Sequence, residues 1–420
     1  MTGDQDSSAV VRDQYEAYPY PPRIPAKEAE RRIIRGSPSP LDELNHYVFG
    51  GRRDFRQPFR ALVAGCGTGD AAIMLGYELQ ASGCPAEVVC IDLSNAALGI
   101  VERRAKTRGL RNLRLHRASL LELDGLSLRG FDYIDCCGVL HHLDDPPAGL
   151  AALRRALAPG GGIGLMVYAP LGRAGVYEVQ ALLRLTGEGL SLDQRIDLAL
   201  LTLDALPDGH PFKTNKGITD HHLLGHAGIV DLLLHARDRA YLVPELVALV
   251  RGAGLAISGF IEPARYQPVR YVSDPGLKAR LSALAPEDAW AAAELISGTI
   301  KKHICYLVEP ATLSSALARP DSPDVVPLLD VRDQAEFAGR LSRGSGLVLN
   351  YDGAKLRYPL PRGATALILA IDGRRSLAEI HAALGATAGP YERFKEAFDM
   401  LYTALNAGNM MFLRYPASRK

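Results

Sequence analysis

The sequence predicts an α/β protein: a doubly wound, largely parallel sheet carrying a helical insertion, followed by a small α+β domain. Three observations predict it. The apolar run Phe59 to Ala64 stops in the turn Gly65-Cys66-Gly67-Thr68-Gly69 and passes at once into a helical pattern with Ile73, Leu75 and Leu79 on one side. Strand, glycine turn and helix form the mononucleotide-binding half of a doubly wound sheet. Next, the β-branched run Glu87 to Ile91 ends in Asp92, an acidic strand tip about twenty residues beyond the turn. Last, residues 171–240 show helical periodicity where such a sheet needs only a short connection.

Composition narrows the function classes. The 420 residues leave room for two or three domains, and 48 Lys and Arg against 47 Asp and Glu create no global field toward nucleic acid or a bilayer. No apolar run reaches membrane-spanning length, and Met1 to Asp6 holds neither the basic region nor the apolar core of a leader, so a cytoplasmic protein without membrane attachment is expected. The six cysteines follow no metal or disulfide spacing. Cys66, Cys90, Cys136 and Cys137 fall in or beside predicted central strands, where a thiol packs as a small hydrophobe.

Taken in order, residues 1–58 begin polar and turn aromatic, and the prolines of Tyr15-Glu16-Ala17-Tyr18-Pro19-Tyr20-Pro21-Pro22 predict an extended strap. The glycine turn follows the first strand because a ligand lying against bare backbone leaves no room for a Cβ. Asp92 then stands where a carboxylate accepts both ribose hydroxyls, which makes the pocket a nucleoside site. Ser94 is the N-cap of a helix with Leu98, Val101 and Ala105 inward, and Leu113 to Arg117 is the third strand. A fourth strand runs from Phe131 into Leu140-His141-His142-Leu143, a helix from Pro147 to Ala158 closes at Pro159-Gly160, and Ile163 to Tyr168 is the fifth strand.

The insertion places Val179, Leu182 and Leu183, then Ile196, Leu198 and Leu201, at helical spacing. It also holds the densest polar cluster: Asp220, His221, His222, His226, Asp231, His235, Asp238 and Arg239. Val243 to Arg251 resumes the helices, Leu255 to Ile261 is the sixth strand, and His303 to Glu309 completes an antiparallel hairpin. Residues 311–343, with Pro320, Pro323 and Pro327, predict a linker. Residues 344–420 predict a hairpin turning on Asp352-Gly353, a capping box from Ser376 to Glu379, a helix over Tyr391 to Asn406 and a closing strand, Met410 to Arg414.

The glycine turn, Asp92, the run Phe131 to Leu143 and Leu157-Ala158-Pro159-Gly160-Gly161-Gly162 together resemble the class I S-adenosylmethionine-dependent methyltransferases, over roughly Phe59 to Glu309. The resemblance implies a seven-stranded Rossmann-like sheet, S-adenosyl-L-methionine as cofactor and S-adenosyl-L-homocysteine as product. It places the cofactor against Ala64, Gly65, Cys66, Gly67, Gly69, Asp92, Leu93, Ser119, Leu120 and Cys137. Ser119 stands where many relatives carry an acidic residue against the adenine amino group. The C-terminal order looks like a small winged-helix domain, and Ile371 to Ile380 resembles PqqD-like modules that bind peptides by adding a strand.

The expected reaction is methyl transfer to an enclosed acceptor, either a small molecule or a peptide or protein side chain. A base is needed where the acceptor is a phenol, alcohol or ammonium. His141 and His142, His222 in the insertion and Tyr18 on the strap are the candidates. His222 and His226 have a spacing that can hold zinc, but Gly225 and Gly228 weaken the helix and no Glu-bearing His-Glu-x-x-His occurs, so no metal is expected. A nucleic-acid acceptor is disfavoured by the neutral chain and by Cys136-Cys137-Gly138 in place of a base pocket. The intact glycine turn and Asp92 oppose a silent cofactor-binding scaffold.

Overall fold

A computed structural model describes residues 7–342 and 346–416. The leader region Met1 to Asp6 and the boundary drawn at residues 343 and 344 lie outside the described residues. Helix α1 (Ser7–Ala17) takes in Tyr15 and Glu16, so the extended strap begins only at Tyr18, and α2 (Leu41–Val48) follows. Then come β1 (Phe59–Ala64), α3 (Asp70–Ala81), β2 (Ala86–Asp92), α4 (Asn95–Thr107), β3 (Leu113–Arg117), β4 (Phe131–Cys137), α5 (Pro146–Ala156) and β5 (Leu157–Tyr168). Ser94 caps α4 through a bond to the Ala97 N–H, and Leu98, Val101 and Ala105 are buried, as their spacing predicts.

Strand β1 pairs in parallel with β2 and β4, β2 with β3, and β4 with β5. The β4–β5 pair contains a bulge: Leu157 pairs with Phe131 and Gly162 with Tyr133, leaving residues 158–161 to loop out between them. Pro159-Gly160 therefore interrupts a strand rather than preceding one. Gly161 is needed there because a Cβ would stand 2.8 Å from the Phe131 carbonyl oxygen.

The insertion is helical: α6 (Val176–Thr186), α7 (Leu192–Ala205), α8 (Pro211–Thr214), α9 (Asp220–Leu223) and α10 (Gly225–Leu233). Val179, Leu183, Ile196, Ala199, Ile229 and Leu232 give it a core of its own. Leu182 and Leu201, part of the same helical pattern, are 39% and 70% exposed and lie outside that core, whereas Leu183 and Ile196 belong to it. The chain continues through α11 (Val243–Gly252), β6 (Ala256–Phe260), α12 (Pro275–Ser282), α13 (Pro286–Ser297) and β7 (Lys302–Val308), with β6 and β7 antiparallel. The seven-stranded sheet has the order β3-β2-β1-β4-β5-β7-β6. This is the doubly wound α/β architecture that the sequence predicts.

Residues 311–343, expected to be a linker, hold α14 (Leu313–Ala316), β8 (Val326–Leu329) and α15 (Gln334–Ser342). After them come β9 (Leu347–Tyr351), β10 (Ala354–Tyr358), α16 (Ala364–Ala370), α17 (Leu377–Leu384), α18 (Tyr391–Ala407) and β11 (Met411–Arg414). Strands β9 and β10 form the hairpin predicted at Asp352-Gly353, whereas β11 pairs with β8, so hairpin and terminal strand belong to separate two-stranded sheets. Among the described residues no helix is long and apolar enough to cross a membrane.

The chain divides into two compact units: one through Ser39, then Phe55–Ala253 and Thr299–Ile304; the other Pro40–Asp54, Gly254–Gly298 and from Cys305 onward. In the second, His46 is fully buried, accepts the Leu413 N–H at 3.0 Å on Nδ1 and lies 3.2 Å from the Tyr402 hydroxyl. Residues of α2 thus share a core with α18 and β11. Deleting residues 344–420 is expected to yield a chain without a cooperative thermal transition; a truncated protein that melts cooperatively in circular dichroism would show the C-terminal part to be separable.

Candidate active site

The site lies in the first unit, at the carboxyl ends of β1, β2, β4 and β5. Gly67 has φ +50°, and a Cβ there would stand 2.6 Å from the Tyr20 carbonyl oxygen, so the turn admits only glycine where the N-terminal segment crosses it. Thr68 fixes that crossing: its N–H donates to the Tyr20 carbonyl at 3.2 Å and its hydroxyl to the Pro21 carbonyl at 2.6 Å. Asp92 accepts the Gly67 N–H on Oδ2 at 2.7 Å and the Ser94 N–H on Oδ1 at 2.9 Å. Each carboxylate oxygen keeps a lone pair, two parallel acceptors that match the vicinal hydroxyls of a ribose. Burial raises the Asp92 pKa in spite of these backbone donors.

The other residues expected against the cofactor lie around the same strand ends. Ala64 and Cys66 are buried at the end of β1 and in the turn, Leu93 and Cys137 are half-buried at the ends of β2 and β4, and Leu120 is buried beyond β3. Ser119 is engaged locally: its hydroxyl accepts the Leu121 N–H at 3.2 Å while its own N–H donates to Glu122 at 2.7 Å. Helix α1 reaches the same place, since the Ser94 hydroxyl, 2.8 Å from Glu16 Oε2, donates to it.

Behind the turn, a buried ion network holds the N-terminal segment to α3 and α4. Arg104, 3% exposed, contacts Glu28 Oε2 at 2.8 Å, Asp70 Oδ1 at 2.9 Å and the Thr68 carbonyl at 2.7 Å. Arg108 meets the other Glu28 oxygen at 2.5 Å, and Arg23 Nε donates to Asp70 at 2.9 Å. Burial pushes the Glu28 carboxyl up, but hydrogen bonds from Arg104 and Arg108 outweigh it and leave its pKa below the ordinary value.

On the acceptor side the turn after β4 delivers His141 and His142, both buried, beside Tyr168 at the end of β5. The His141 ring lies 4.3 Å from Tyr168 and 4.2 Å from His142, and His142 stacks on His235 at 3.7 Å. His142 Nδ1 is 2.5 Å from the Arg237 carbonyl, which fixes the proton on Nδ1 and the lone pair on Nε2. His235 accepts the Arg237 N–H on Nδ1 at 3.0 Å, so its Nε2–H points to the Tyr15 hydroxyl at 3.1 Å, and Tyr15 in turn donates to Asp231 at 3.2 Å.

Burial, reinforced by the charge of Asp238, pushes the Asp231 carboxyl up to about 7. Burial and then Asp231 keep the Tyr15 phenol protonated, and burial holds His141, His142 and His235 below the ordinary histidine pKa. Arg173 lies 3.7 Å above the Tyr168 ring and pairs with Asp238 Oδ2 at 3.0 Å, while Gln180 donates to the same oxygen at 2.9 Å. Among the described residues neither ring nitrogen of His141, nor Asp238 Oδ1, has a hydrogen-bond partner. His141, His142 and Asp238 each present a ligand-type atom, all within 4.8 Å of one another.

Two expected catalytic residues lie elsewhere. His222 is exposed with its ring 3.8 Å from His221, and the helix breaks at Leu224, so His222 and His226 sit on different helices, α9 and α10. Tyr18 packs at the edge of the insertion core and donates to Asp193 at 3.0 Å. The residues that sequence reasoning missed as site members are Tyr15, Tyr168 and Arg173. Tyr168 stands at a strand tip and Tyr15 in the tyrosine run, which are signals in hindsight; Arg173 carries none.

A family model described as a methyltransferase domain matches residues 62–163. An uncharacterized protein of Synechococcus sp. is 32% identical over 311 residues, 71% of each chain. The ubiquinone biosynthesis O-methyltransferase of Aromatoleum aromaticum is 34% identical over 102 residues, 24% of this chain and 41% of that enzyme. The structure of PKMT2 from Rickettsia typhi in complex with AdoHcy superposes with a TM-score of 0.61 at 14% identity, covering 90% of this chain and 75% of that one, and shares its fold.

Proposed function

The chain belongs to the class I S-adenosylmethionine-dependent methyltransferases, and from that premise we propose that it methylates an oxygen or nitrogen acceptor enclosed beside Tyr15, with Asp231 taking the acceptor's proton. The acceptor is a small molecule or one protruding side chain of a peptide or protein. One observation carries this reading: Tyr15 joins the two halves of the site, its carbonyl 3.2 Å from the Ser94 hydroxyl beside Asp92 and its phenol 3.2 Å from Asp231.

The residues present fit the cofactor, since Asp92 offers paired acceptors at the strand tip and the glycine turn offers bare backbone. We assign Gly65, Cys66, Gly67, Gly69, Asp92 and Leu93 to holding it. S-adenosylmethionine supplies an electrophilic methyl group whose transfer leaves a neutral thioether. The protein's share is alignment, which in well-oriented intramolecular reactions contributes roughly 7–11 kcal/mol, and removal of a proton.

A carboxyl near 7 is matched to that second task, because near neutral pH a large fraction of it is ionised and it is basic enough to take a proton. Tyr15, a hydrogen-bond donor to Asp231, fixes the carboxylate's orientation. His141, His142 and His235 are kept neutral by burial, so none repels a protonated acceptor before its proton leaves.

Asp231→Asn is expected to lower methyl transfer about 10²- to 10⁴-fold, the usual range for a lost general base, with cofactor affinity unchanged in calorimetry. The assay follows labelled methyl from S-adenosylmethionine into a host extract separated into macromolecular and small-molecule fractions. Label confined to one fraction identifies the acceptor class. Equal labelling by the wild type and Asp231→Asn would remove Asp231 from the reaction.

A further inference from the structure

We propose that His141, His142 and Asp238 form a binding site for a divalent transition metal of the zinc type. The three are brought from the turn after β4 and the segment after α10, and their ligand-type atoms lie within 4.8 Å of one another. Each is prepared in the manner of a ligand. His141 is 1% exposed and neither of its ring nitrogens has a hydrogen-bond partner among the described residues. A buried polar atom left so is costly, whereas a neutral imidazole lone pair is a metal donor.

His142 shows the outer-partner arrangement typical of metal-bound histidine. Its Nδ1–H is committed to the Arg237 carbonyl at 2.5 Å, which fixes the tautomer and leaves the Nε2 lone pair available. Asp238 is divided in the same sense: Oδ2 is anchored by Arg173 at 3.0 Å and Gln180 at 2.9 Å, while Oδ1 has no hydrogen-bond partner among the described residues. His235, although stacked on His142, is not in the set, because Arg237 N–H and the Tyr15 hydroxyl take up both its nitrogens.

Two imidazoles and one carboxylate suit zinc, and three protein ligands leave a coordination position for water or an acceptor heteroatom. A metal there would lower the pKa of a bound hydroxyl as a Lewis acid. That role rests on the acceptor reading above, whereas the site itself stands on geometry alone. The sequence spacing hides the set, since its members lie at 141, 142 and 238.

The test uses the full-length protein, stripped with a chelator, equilibrated with Zn²⁺ and desalted, with metal read by mass spectrometry. Retention of about one zinc per chain is expected, with Co²⁺ in its place giving the visible absorption of a four-coordinate ion. His141→Gln and Asp238→Asn are each expected to weaken Zn²⁺ binding by about 100-fold or more, above the 10- to 100-fold typical of outer partners. The His222→Ala/His226→Ala double variant should bind as the wild type does. Wild-type protein that retains no zinc overturns the proposal, as does equal retention by both ligand variants. Should His141→Gln fail to fold, wild-type uptake and Asp238→Asn decide. S-adenosylmethionine binding, measured by calorimetry on the stripped sample, tests the cofactor reading separately.

Discussion

Asp92→Ala is expected to weaken S-adenosylmethionine binding by about 10- to 150-fold, the equivalent of losing a charged hydrogen bond worth roughly 1.5–3 kcal/mol, while the chain stays folded. On the proposed assignment the carboxylate offers the ribose one lone pair on each oxygen, while its bonds to Gly67 N–H and Ser94 N–H hold the turn and the start of α4. Asp92→Asn is the milder change. Its single oxygen can serve only one of the two backbone donors, and its NH2 faces the other donor and one ribose hydroxyl. It should therefore bind more weakly than the wild type and melt at a somewhat lower temperature. Calorimetric affinity unchanged in both variants would remove Asp92 from the cofactor site.

Glu28→Ala is expected to destabilise the first unit by about 3–5 kcal/mol, because it leaves the buried guanidinium of Arg104 and its neighbour Arg108 short of counter-charge. A loss of that size lowers the melting temperature on the order of 10 °C. Replacing both partners, as in Glu28→Leu with Arg104→Leu, should recover much of it, since a buried ion pair and an apolar pair of similar volume are often equivalent. The sign with pH follows from the depressed carboxyl. Its stabilisation is complete above the ordinary glutamate pKa of 4.5 and is lost as the pH falls through the lower folded-state value. Wild-type and Glu28→Ala melting curves should accordingly converge in acid. Curves that stay parallel to low pH would show that Glu28 acts through packing rather than charge.

The strand–turn–helix geometry around the glycine turn was legible because its signals are local. Gly65 to Gly69 and Asp92 act through turn geometry and strand ends, which a dozen residues of sequence define. The acceptor half was legible only in fragments. His141 and His142 stand out as a pair, but Tyr15, Arg173, Asp231 and Asp238 meet through tertiary packing that no spacing encodes. Gly225, at φ +59°, begins a new helix between His222 and His226, in keeping with the helix weakening that the glycines there signal. The supposed linker misled for a different reason. Pro327 signals an absent donor, which an interior strand rejects, yet β8 belongs to a two-stranded sheet in which each strand has one edge unpaired and a proline is tolerated.

The division of the chain has a consequence for its synthesis. The backbone passes between the two units five times, and α2, β8 and β11 of one unit are drawn from residues 41, 326 and 411 onward. The second unit therefore lacks the partner of β8 until residues 411–414 have been made, more than 360 residues after α2. Contacts of such long sequence separation form slowly, and apolar surface around His46 stays uncovered meanwhile. Substitutions in β11 should accordingly depress the yield of folded protein more than its final stability.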